Sequence, residues 1–339
     1  MKAAVLYAND DIRYDDYATP AADEGTVVVK VAATGICGSD IPRVLYHGAH
    51  SYPIVLGHEF SGEIAEIGPG VSGFEIGDRV TGAPLRPCMI CPDCQQGNYS
   101  LCRHYSFIGS RQQGSFAEYV KIPAMNTVKF DSSISFEQGA FFEPATVALH
   151  GLRVNDYRGG KDVAVLGGGT VGLFTAQWAK IFGAKSVTVF DILDERLAIA
   201  RQFGADRTVN LQKEEPPKDA YAYVFETAGV TDTMRLAFEI AANKANICFI
   251  GTPTKELTFA PALFENMNRK EFKLTGSWMS YSAPFPGEEW TLTAHYFKTG
   301  QLTFDESLIF RKYPMRDVAE AFALFKIPGA VKGKILLYN

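Results

Sequence analysis

The 339-residue sequence has no apolar run near the roughly 18 residues that a membrane-spanning helix needs. It also has no excess of basic residues, because 33 Lys and Arg stand against 38 Asp and Glu. The resulting net charge of −5 argues against binding to nucleic acid or a membrane surface. The apolar stretch Met1–Tyr7 is too short for a signal peptide, and no low-complexity linker or internal repeat follows it. We therefore expect a soluble cytoplasmic protein whose partner is a small molecule.

Two patterns of hydrophobic residues divide the chain. The first 150 residues contain short β-branched runs, such as 27–33 and 117–122, separated by turn residues. From about residue 162, strands and helices alternate, which predicts a parallel sheet with right-handed crossovers. The expected strands are 163–166, 186–190, 222–225 and 246–250, and the expected helices are 170–182, 194–203 and 232–242. A helix near 315–325 and a strand at 333–338 end the chain, so the fold class is α/β: a β-rich domain with a doubly wound domain nested in it.

Four of the six cysteines lie within fifteen residues, as Cys88, Cys91, Cys94 and Cys102. In a large chain without a signal peptide, such crowding indicates metal binding rather than disulfides. Two-residue spacings let thiolates meet at one centre, and a fourth thiolate completes a tetrahedral zinc site. Four protein ligands leave no open position, so we predict a structural zinc ion.

A glycine motif follows the strand at 163–166 and opens the next helix. Read as G-x-G-x-x-G, its glycines are 167, 169 and 172, with Thr170 and Val171 between the last two. Such a motif holds a dinucleotide pyrophosphate at a helix N-terminus. Asp191 ends the next strand, where a carboxylate binds the adenosine ribose and repels the extra phosphate of NADP. Arg196 lies a helical turn further on and can approach the same ribose. The motif therefore favours NAD, although Asp191 can also serve only to cap the following helix.

Four further side chains are candidate ligands of a second metal. Cys37, the pair His58-Glu59, and Glu143 between Phe142 and Pro144 are each a weak signal alone. Together they indicate a site of mixed ligands with a free coordination position. A carboxylate in apolar company such as that of Glu143 is costly to bury unless it meets a cation.

These residues carry a resemblance to a known family. The segment Gly57-His58-Glu59-x2-Gly62-x5-Gly68-x2-Val71 resembles the signature of the zinc-containing medium-chain alcohol and polyol dehydrogenases. Cys37-Gly38-Ser39-Asp40, the four-cysteine cluster and the glycine motif follow in the family's order. The resemblance implies a GroES-like catalytic domain, residues 1–149 and 285–339, around a Rossmann NAD-binding domain, residues 150–284. It also implies a homodimer or homotetramer.

The resemblance further implies roles for the site residues. Cys37, His58 and Glu143 correspond to ligands of a catalytic zinc ion, and Glu59 to a carboxylate that exchanges at the metal. Ser39 corresponds to the hydroxyl that receives the alcohol proton. The family's relay histidine lies three to five residues after that serine, where this chain has Pro42 and Arg43. Water, His47 or His50 would therefore carry the proton outward.

Four segments, Cys37–Arg43, Gly48–His50, Phe107–Arg111 and Gly276–Ser282, carry a more specific resemblance. It implies that the substrate is a sugar-alcohol phosphate, galactitol 1-phosphate, which is oxidised to tagatose 6-phosphate. Arg43 and Arg111 are the candidate phosphate ligands, because a guanidinium binds phosphate through two parallel hydrogen bonds. His50 is a candidate for a substrate hydroxyl, and Trp278 either walls the pocket or lies at a subunit interface. The alternatives are an unphosphorylated polyol such as sorbitol or galactitol, and a non-catalytic NAD-binding protein.

Overall fold

The computed structural model describes residues 1–339, which divide into two compact units. The first unit comprises Met1–Glu143, Tyr281–Thr299 and Phe304–Asn339, and the second comprises Pro144–Ser280 with Gly300–Thr303. The chain therefore leaves the first unit, builds most of the second, and returns. The sequence-based limits for independently folding domains, 149/150 and 284/285, remain a prediction.

The chain forms eighteen strands and eleven α-helices. In chain order the strands are β1 Lys2–Ala8, β2 Asp11–Asp16, β3 Thr26–Gly35, β4 Ile54–Val55, β5 Glu59–Ile67, β6 Arg79–Gly82, β7 Leu85–Arg86, β8 Ser106–Phe107, β9 Tyr119–Pro123, β10 Thr127–Lys129, β11 Asp162–Leu166, β12 Ser186–Asp191, β13 Arg207–Asn210, β14 Tyr221–Glu226, β15 Ala241–Phe249, β16 Lys273–Gly276, β17 Ile309–Pro314 and β18 Lys334–Tyr338. The helices are α1 Asp40–Leu45, α2 Pro92–Gln95, α3 Phe136–Gly139, α4 Phe142–Val154, α5 Thr170–Ile181, α6 Asp194–Gln202, α7 Thr231–Ile240, α8 Pro261–Phe264, α9 Asn266–Lys270, α10 Glu288–Lys298 and α11 Val318–Ala323. No helix combines the length and the apolarity that crossing a bilayer requires.

The first unit is built around a seven-stranded sheet in the order β10-β6-β5-β3-β18-β17, with β9 also paired to β3. Strand β3 is central because its run of valines and alanines is buried along most of its length. Its last residue, Gly35, pairs with Glu59 at the start of β5 and with Leu336 of β18. The C-terminal strand thus returns to the sheet beside the segment that carries Cys37.

The second unit is a six-stranded parallel sheet in the order β13-β12-β11-β14-β15-β16. This is the doubly wound order in which the first strand lies at the centre and the direction of winding reverses. Buried apolar side chains of β11, β14 and β15 pack against helix α7 to form its core. The expected strand and helix alternation is confirmed, and the glycine motif lies at the carboxyl end of the central strand β11.

Some expected elements differ from the structure. The stretch 315–325 was predicted as one helix but is divided into a 3-10 turn, helix α11 and a second 3-10 turn. Its buried residues Met315, Val318, Ala321 and Phe322 have the spacing of one helical face, so the expected periodicity is present although the helix is interrupted. Helix α4 was not among the expected elements, and Pro144 lies in its first turn. A proline in the first turn is tolerated because its missing N–H would have no intrahelical acceptor.

Candidate active site

The four-cysteine segment folds into a compact loop of the first unit. Ligand sulfurs of Cys88, Cys91, Cys94 and Cys102 all lie within 4.8 Å of one another, and none forms a disulfide. Backbone N–H groups of Arg103 and Cys94 lower the pKa of the Cys91 thiol to about 6. Burial and the neighbouring sulfurs raise the pKa of Cys94 to about 12. Four sulfurs at this separation match the donor set of a closed tetrahedral zinc site.

A second group of potential ligands lies where β3 and β5 meet. The ligand atoms of Cys37, His58 and Glu59 lie within 4.8 Å of one another. The Nδ1 atom of His58 is buried and has no hydrogen-bond partner, and the nearest carboxylate oxygen, Oδ1 of Asp40, is 3.6 Å away. Thiolate, imidazole and carboxylate together are a donor set that suits zinc, and three ligands leave room for a fourth. The residues present therefore fit the predicted open metal site.

Lys334, which the sequence reasoning did not identify, forms a buried ion pair with Glu59. Its Nζ atom donates to Oε2 of Glu59 at 2.5 Å and to the carbonyl of Ile36 at 3.3 Å. Burial lowers the pKa of Lys334, but the charges of Glu59 and Cys37 outweigh burial and raise it above its ordinary value. The ammonium group therefore stays charged, and Glu59 is held by a cation of the protein itself.

The close approach of these side chains explains why residue 35 is glycine. A Cβ atom at Gly35 would lie 2.5 Å from Oε2 of Glu59 and 3.2 Å from Cδ of Lys334. Both distances are shorter than ordinary van der Waals contacts, and Glu59 and Lys334 are both buried. Only a residue without a side chain leaves space for the ion pair at this point of the sheet.

Glu143 lies in the first turn of α4 and is not a member of the group formed by Cys37, His58 and Glu59. Burial raises the pKa of its carboxyl to about 7, against the lowering effect of His58. The charges of Glu59 and Asp40 contribute to this increase, so Glu143 lies within electrostatic range of the group. Its role as a metal ligand stays a prediction.

Ser39 and Arg43 are in direct contact on the segment that follows Cys37. The hydroxyl of Ser39 donates to Sγ of Cys37 at 3.3 Å and accepts a hydrogen bond from Nη1 of Arg43 at 2.9 Å. The carboxylate of Asp40 is fully buried, accepts the N–H of Cys37 at 3.1 Å, and lies 3.4 Å from Nη1 of Arg43. Asp40 therefore links Cys37 and Arg43, and it also lies near His58. The sequence alone did not predict this role.

Among the candidate substrate residues of the first unit, the charges of Arg43 and Arg111 act on His50. Desolvation, and then the positive charges of Arg111 and Arg43, lower the pKa of His50 below its ordinary value. Arg111 lies over the ring of Tyr105, with its guanidinium carbon 4.6 Å from the ring centroid. His47 is exposed beyond the end of α1. Arg43 and Arg111 thus both lie within electrostatic range of His50, and we refer to these three residues as the basic group.

Trp278 belongs to the second unit, where it follows the edge strand β16. Its side chain is 51% exposed. Leu274, on β16 itself, is 40% exposed. Neither sequence-based interpretation of Trp278, as a pocket wall or as an interface residue, is tested by this placement.

The glycine motif of the second unit has the geometry expected of a dinucleotide loop. Gly167 has a φ of +106°, and a Cβ atom at Gly172 would lie 1.9 Å from the carbonyl oxygen of Gly167. Gly169 is the N-cap of α5, and a Cβ atom there would meet nothing within 4 Å. The first and third glycines are therefore required by packing, whereas the space beside Gly169 is open to a pyrophosphate at the helix N-terminus.

Asp191 ends β12 and faces this loop. Its carboxylate accepts the N–H groups of Gly168 at 2.8 Å, Ile192 at 2.8 Å and Leu193 at 3.0 Å. Nη1 of Arg196 lies 3.7 Å from Oδ2 of Asp191. A carboxylate has about four lone-pair sites, so three backbone donors leave capacity for a ribose hydroxyl.

Comparison with known proteins places both units in known families. Residues 23–132 match the alcohol dehydrogenase GroES-like domain, and residues 170–294 match the zinc-binding dehydrogenase family. The chain belongs to the zinc-binding medium-chain dehydrogenases, and it is accordingly a zinc-containing enzyme of the alcohol and polyol dehydrogenase class. Zinc and a nicotinamide dinucleotide, NAD or NADP, are the cofactors of this class.

Several relatives are similar over most of their length. Galactitol 1-phosphate 5-dehydrogenase of Escherichia coli (strain K12) is 39% identical over 99% of each chain. D-arabitol-phosphate dehydrogenase of Enterococcus avium is 31% identical over 92% of this chain and 90% of the relative. Sorbitol dehydrogenase of Bacillus subtilis is 31% identical over 75% and 76%.

Two solved structures share the fold. The crystal structure of galactitol-1-phosphate dehydrogenase from Escherichia coli superposes with a TM-score of 0.95 at 40% identity, covering all of both chains. A zinc-binding dehydrogenase from Sinorhizobium meliloti 1021 bound to NADP superposes with a TM-score of 0.91 at 28% identity, covering 100% of this chain and 99% of that one.

The four-cysteine loop generates a first prediction. Replacement of Cys94 by serine removes one of four thiolates, so the protein is expected to lose about one zinc ion per chain and to melt at a lower temperature. Metal analysis together with thermal unfolding measures both effects. Cys248→Ala is the control, because Cys248 is buried outside both ligand groups. Full zinc content in Cys94→Ser would contradict the assignment of this loop as a metal site.

The buried ion pair generates a second prediction. Lys334→Met leaves the carboxylate of Glu59 buried without its cation, so we expect a loss of about 3–5 kcal/mol in the free energy of unfolding. Denaturant unfolding of the zinc-loaded protein measures it. Glu59→Gln in the same chain should restore part of the loss, because it removes the stranded charge.

The matched control for this prediction is Lys326→Met, since Lys326 pairs with Asp10 at 2.6 Å on the surface. Exposed pairs contribute little, so this variant should change stability far less. If Lys334→Met proves no more destabilising than Lys326→Met, the pair with Glu59 does not form as described.

Proposed function

We propose that this enzyme oxidises a phosphorylated sugar alcohol with NAD, converting galactitol 1-phosphate to tagatose 6-phosphate. The observation that carries the proposal is the basic group of Arg43, His50 and Arg111. Among these three side chains the structure pairs only Arg43 with a carboxylate, that of the buried Asp40. Guanidinium groups without surface acids around them suit a phosphate, which accepts two parallel hydrogen bonds from each. The similarity to two sugar-alcohol-phosphate dehydrogenases supports the same substrate class.

The first unit supplies the residues for the chemistry. Cys37, His58 and Glu143 would hold the catalytic zinc ion, and the Cys88, Cys91, Cys94 and Cys102 loop the structural one. When bound, the catalytic zinc acts as a Lewis acid towards the alcohol oxygen, and the nicotinamide accepts a hydride. Glu59 adds negative charge beside this site while Lys334 restrains its carboxylate.

Ser39 receives the proton of the substrate hydroxyl in this proposal. Its own side chain is exposed, so water can take the proton directly. Pro42 has no ionisable group to continue a relay. His50 is the nearby base, because its lowered pKa keeps the imidazole neutral and able to accept a proton at neutral pH.

NAD is the proposed cofactor because Asp191 lies where a ribose phosphate would meet a negative charge. The side chain of Asp191 is buried and anchored by three backbone N–H groups, so it cannot move aside readily. Arg196 lies next to Asp191, and its positive charge limits the preference for NAD over NADP. We also propose two zinc ions per chain and assembly as a homodimer or homotetramer, to which the exposed Leu274 and Trp278 beside the edge strand contribute apolar surface.

An unphosphorylated polyol is the second candidate substrate. It is favoured by the contacts of Arg43, since its Nη1 atom is already occupied by Ser39 and Asp40. The similarity to sorbitol dehydrogenase of Bacillus subtilis agrees with this alternative.

The substrate assay separates these candidates. NADH formation is measured from galactitol 1-phosphate, galactitol, sorbitol and sorbitol 6-phosphate, each with NAD and with NADP. We expect a kcat/KM for galactitol 1-phosphate at least tenfold above that for galactitol, since a bidentate charged contact contributes more than about 1.4 kcal/mol. Equal or better turnover of the free polyols would refute the phosphate site.

Cofactor choice gives a separate prediction for Asp191. Asp191→Ala is expected to raise the KM for NAD and to lower the ratio of kcat/KM for NAD over NADP by roughly ten- to a hundredfold, because the carboxylate contacts the ribose and repels the phosphate. The control is Asp194→Ala, since Asp194 is an exposed acid three residues later that pairs with Lys213. An unchanged ratio in Asp191→Ala, with folding verified by circular dichroism, would exclude this role.

A further inference from the structure

The hydroxyl of Ser39 is held in one orientation by two neighbours. Its Oγ atom donates to Sγ of Cys37 and accepts from Nη1 of Arg43, at 3.3 Å and 2.9 Å. A hydroxyl oxygen has two lone pairs, so the contact with Arg43 leaves one lone pair to accept the substrate's proton, while the serine's own proton leaves to water. The direction of that lone pair is set by Arg43.

The guanidinium group of Arg43 is itself anchored. Arg43 follows Ser39 by four residues, and its Nη1 atom reaches back to the carbonyl of Ser39 at 2.9 Å. The same atom lies 3.4 Å from Oδ1 of Asp40, whose buried carboxylate also faces His58 at 3.6 Å. Arg43 is therefore attached to the carboxylate that contacts the candidate metal ligands.

The other side of Arg43 faces away from these contacts. Its Nε and Nη2 atoms donate to no group of the protein, and 25% of the side chain is exposed. Arg43, like Arg111, also lies within electrostatic range of His50. Three free N–H donors beside other cations suit an anionic substrate group.

We propose that Arg43 has two roles, as the contact for the anionic end of the substrate and as the positioning residue for the Ser39 hydroxyl. The phosphate contact rests on the proposed function. The positioning role applies to any alcohol that passes its proton to Ser39. Loss of Arg43 therefore lowers kcat and not only the affinity for a phosphorylated substrate. Arg111, which has no contact with Ser39, acts on KM.

The test compares Arg43→Met, Arg43→Lys and Arg111→Met with galactitol 1-phosphate and with free galactitol, measuring kcat and KM separately. We expect Arg43→Met to lower kcat roughly tenfold or more for both substrates, as loss of a charged hydrogen bond predicts. Arg43→Lys restores the KM for galactitol 1-phosphate more than kcat, because a single ammonium cannot span both contacts. Arg111→Met mainly raises the KM for galactitol 1-phosphate. Arg13→Met, a surface arginine paired with Asp11, is the unaffected control.

A double-mutant cycle distinguishes positioning from a general structural defect. In the Ser39→Ala background, Arg43→Met should cause little further loss of kcat, since the hydroxyl it positions is gone. Zinc content and the unfolding midpoint are measured for each variant, and Arg43→Lys serves if Arg43→Met does not fold. Independent, additive losses of kcat would overturn the positioning role, as would an effect of Arg43→Met on KM alone. The proposed substrate can fail separately: equal use of free galactitol by the wild type removes the phosphate contact but leaves the kcat loss on galactitol as the test of positioning.

Discussion

The buried contact between the ammonium of Lys334 and the carboxylate of Glu59 is the interaction on which the candidate active site depends. It joins the first residue of β18 to the first residue of β5, 275 residues apart in the chain, across Gly35 of β3. Charges buried so deeply are tolerated only when they are paired. Lys334 lies on the strand that returns from the second unit, so the C-terminal strand completes the surroundings of Cys37 and His58. The same strand therefore completes both the sheet and the site.

Asp40 is a second residue whose buried contacts hold the candidate active site together. One carboxylate accepts the N–H of Cys37 and lies within reach of Arg43 and His58. Burial raises its pKa, whereas the charges of His58 and Arg43 lower it. Because its neighbours are a candidate metal ligand, the arginine that contacts Ser39, and the backbone of Cys37, Asp40 fixes the relative positions of groups with different tasks. Because this one carboxylate contacts several groups, the six-residue helix α1 is enough to organise this part of the site.

The two predicted zinc sites differ in how the chain builds them. The structural site uses four cysteines of one short segment, and its geometry depends on local turns. The predicted catalytic site would draw Cys37 from just after β3, His58 from just before β5 and Glu143 from the first turn of α4. A site assembled from separate elements can keep an open position, but it depends on the whole sheet for its accuracy. The solved structure of a galactitol-1-phosphate dehydrogenase has the same fold, with a TM-score of 0.95.

Local patterns in the sequence determined the four-cysteine loop, the glycine motif with Asp191, and the alternation that predicts the parallel sheet. Each depends on spacings of a few residues, and the structure places these residues where the spacing requires. The residue pattern also indicated Cys37, His58, Glu59 and Glu143 as candidate metal ligands, and the resemblance added their separate roles and the GroES-like fold. Only the tertiary structure decided that Lys334 pairs with Glu59, that Asp40 links Cys37 to Arg43, and that the charge of Arg111 acts on His50. The Lys334–Glu59 pair joins residues far apart in the chain, and helical or strand periodicity carries no information about such distances. The bond from Arg43 to Ser39 spans only four residues, yet periodicity does not predict it either, because it depends on where the side chains of Ser39, Asp40 and Arg43 lie in the folded protein.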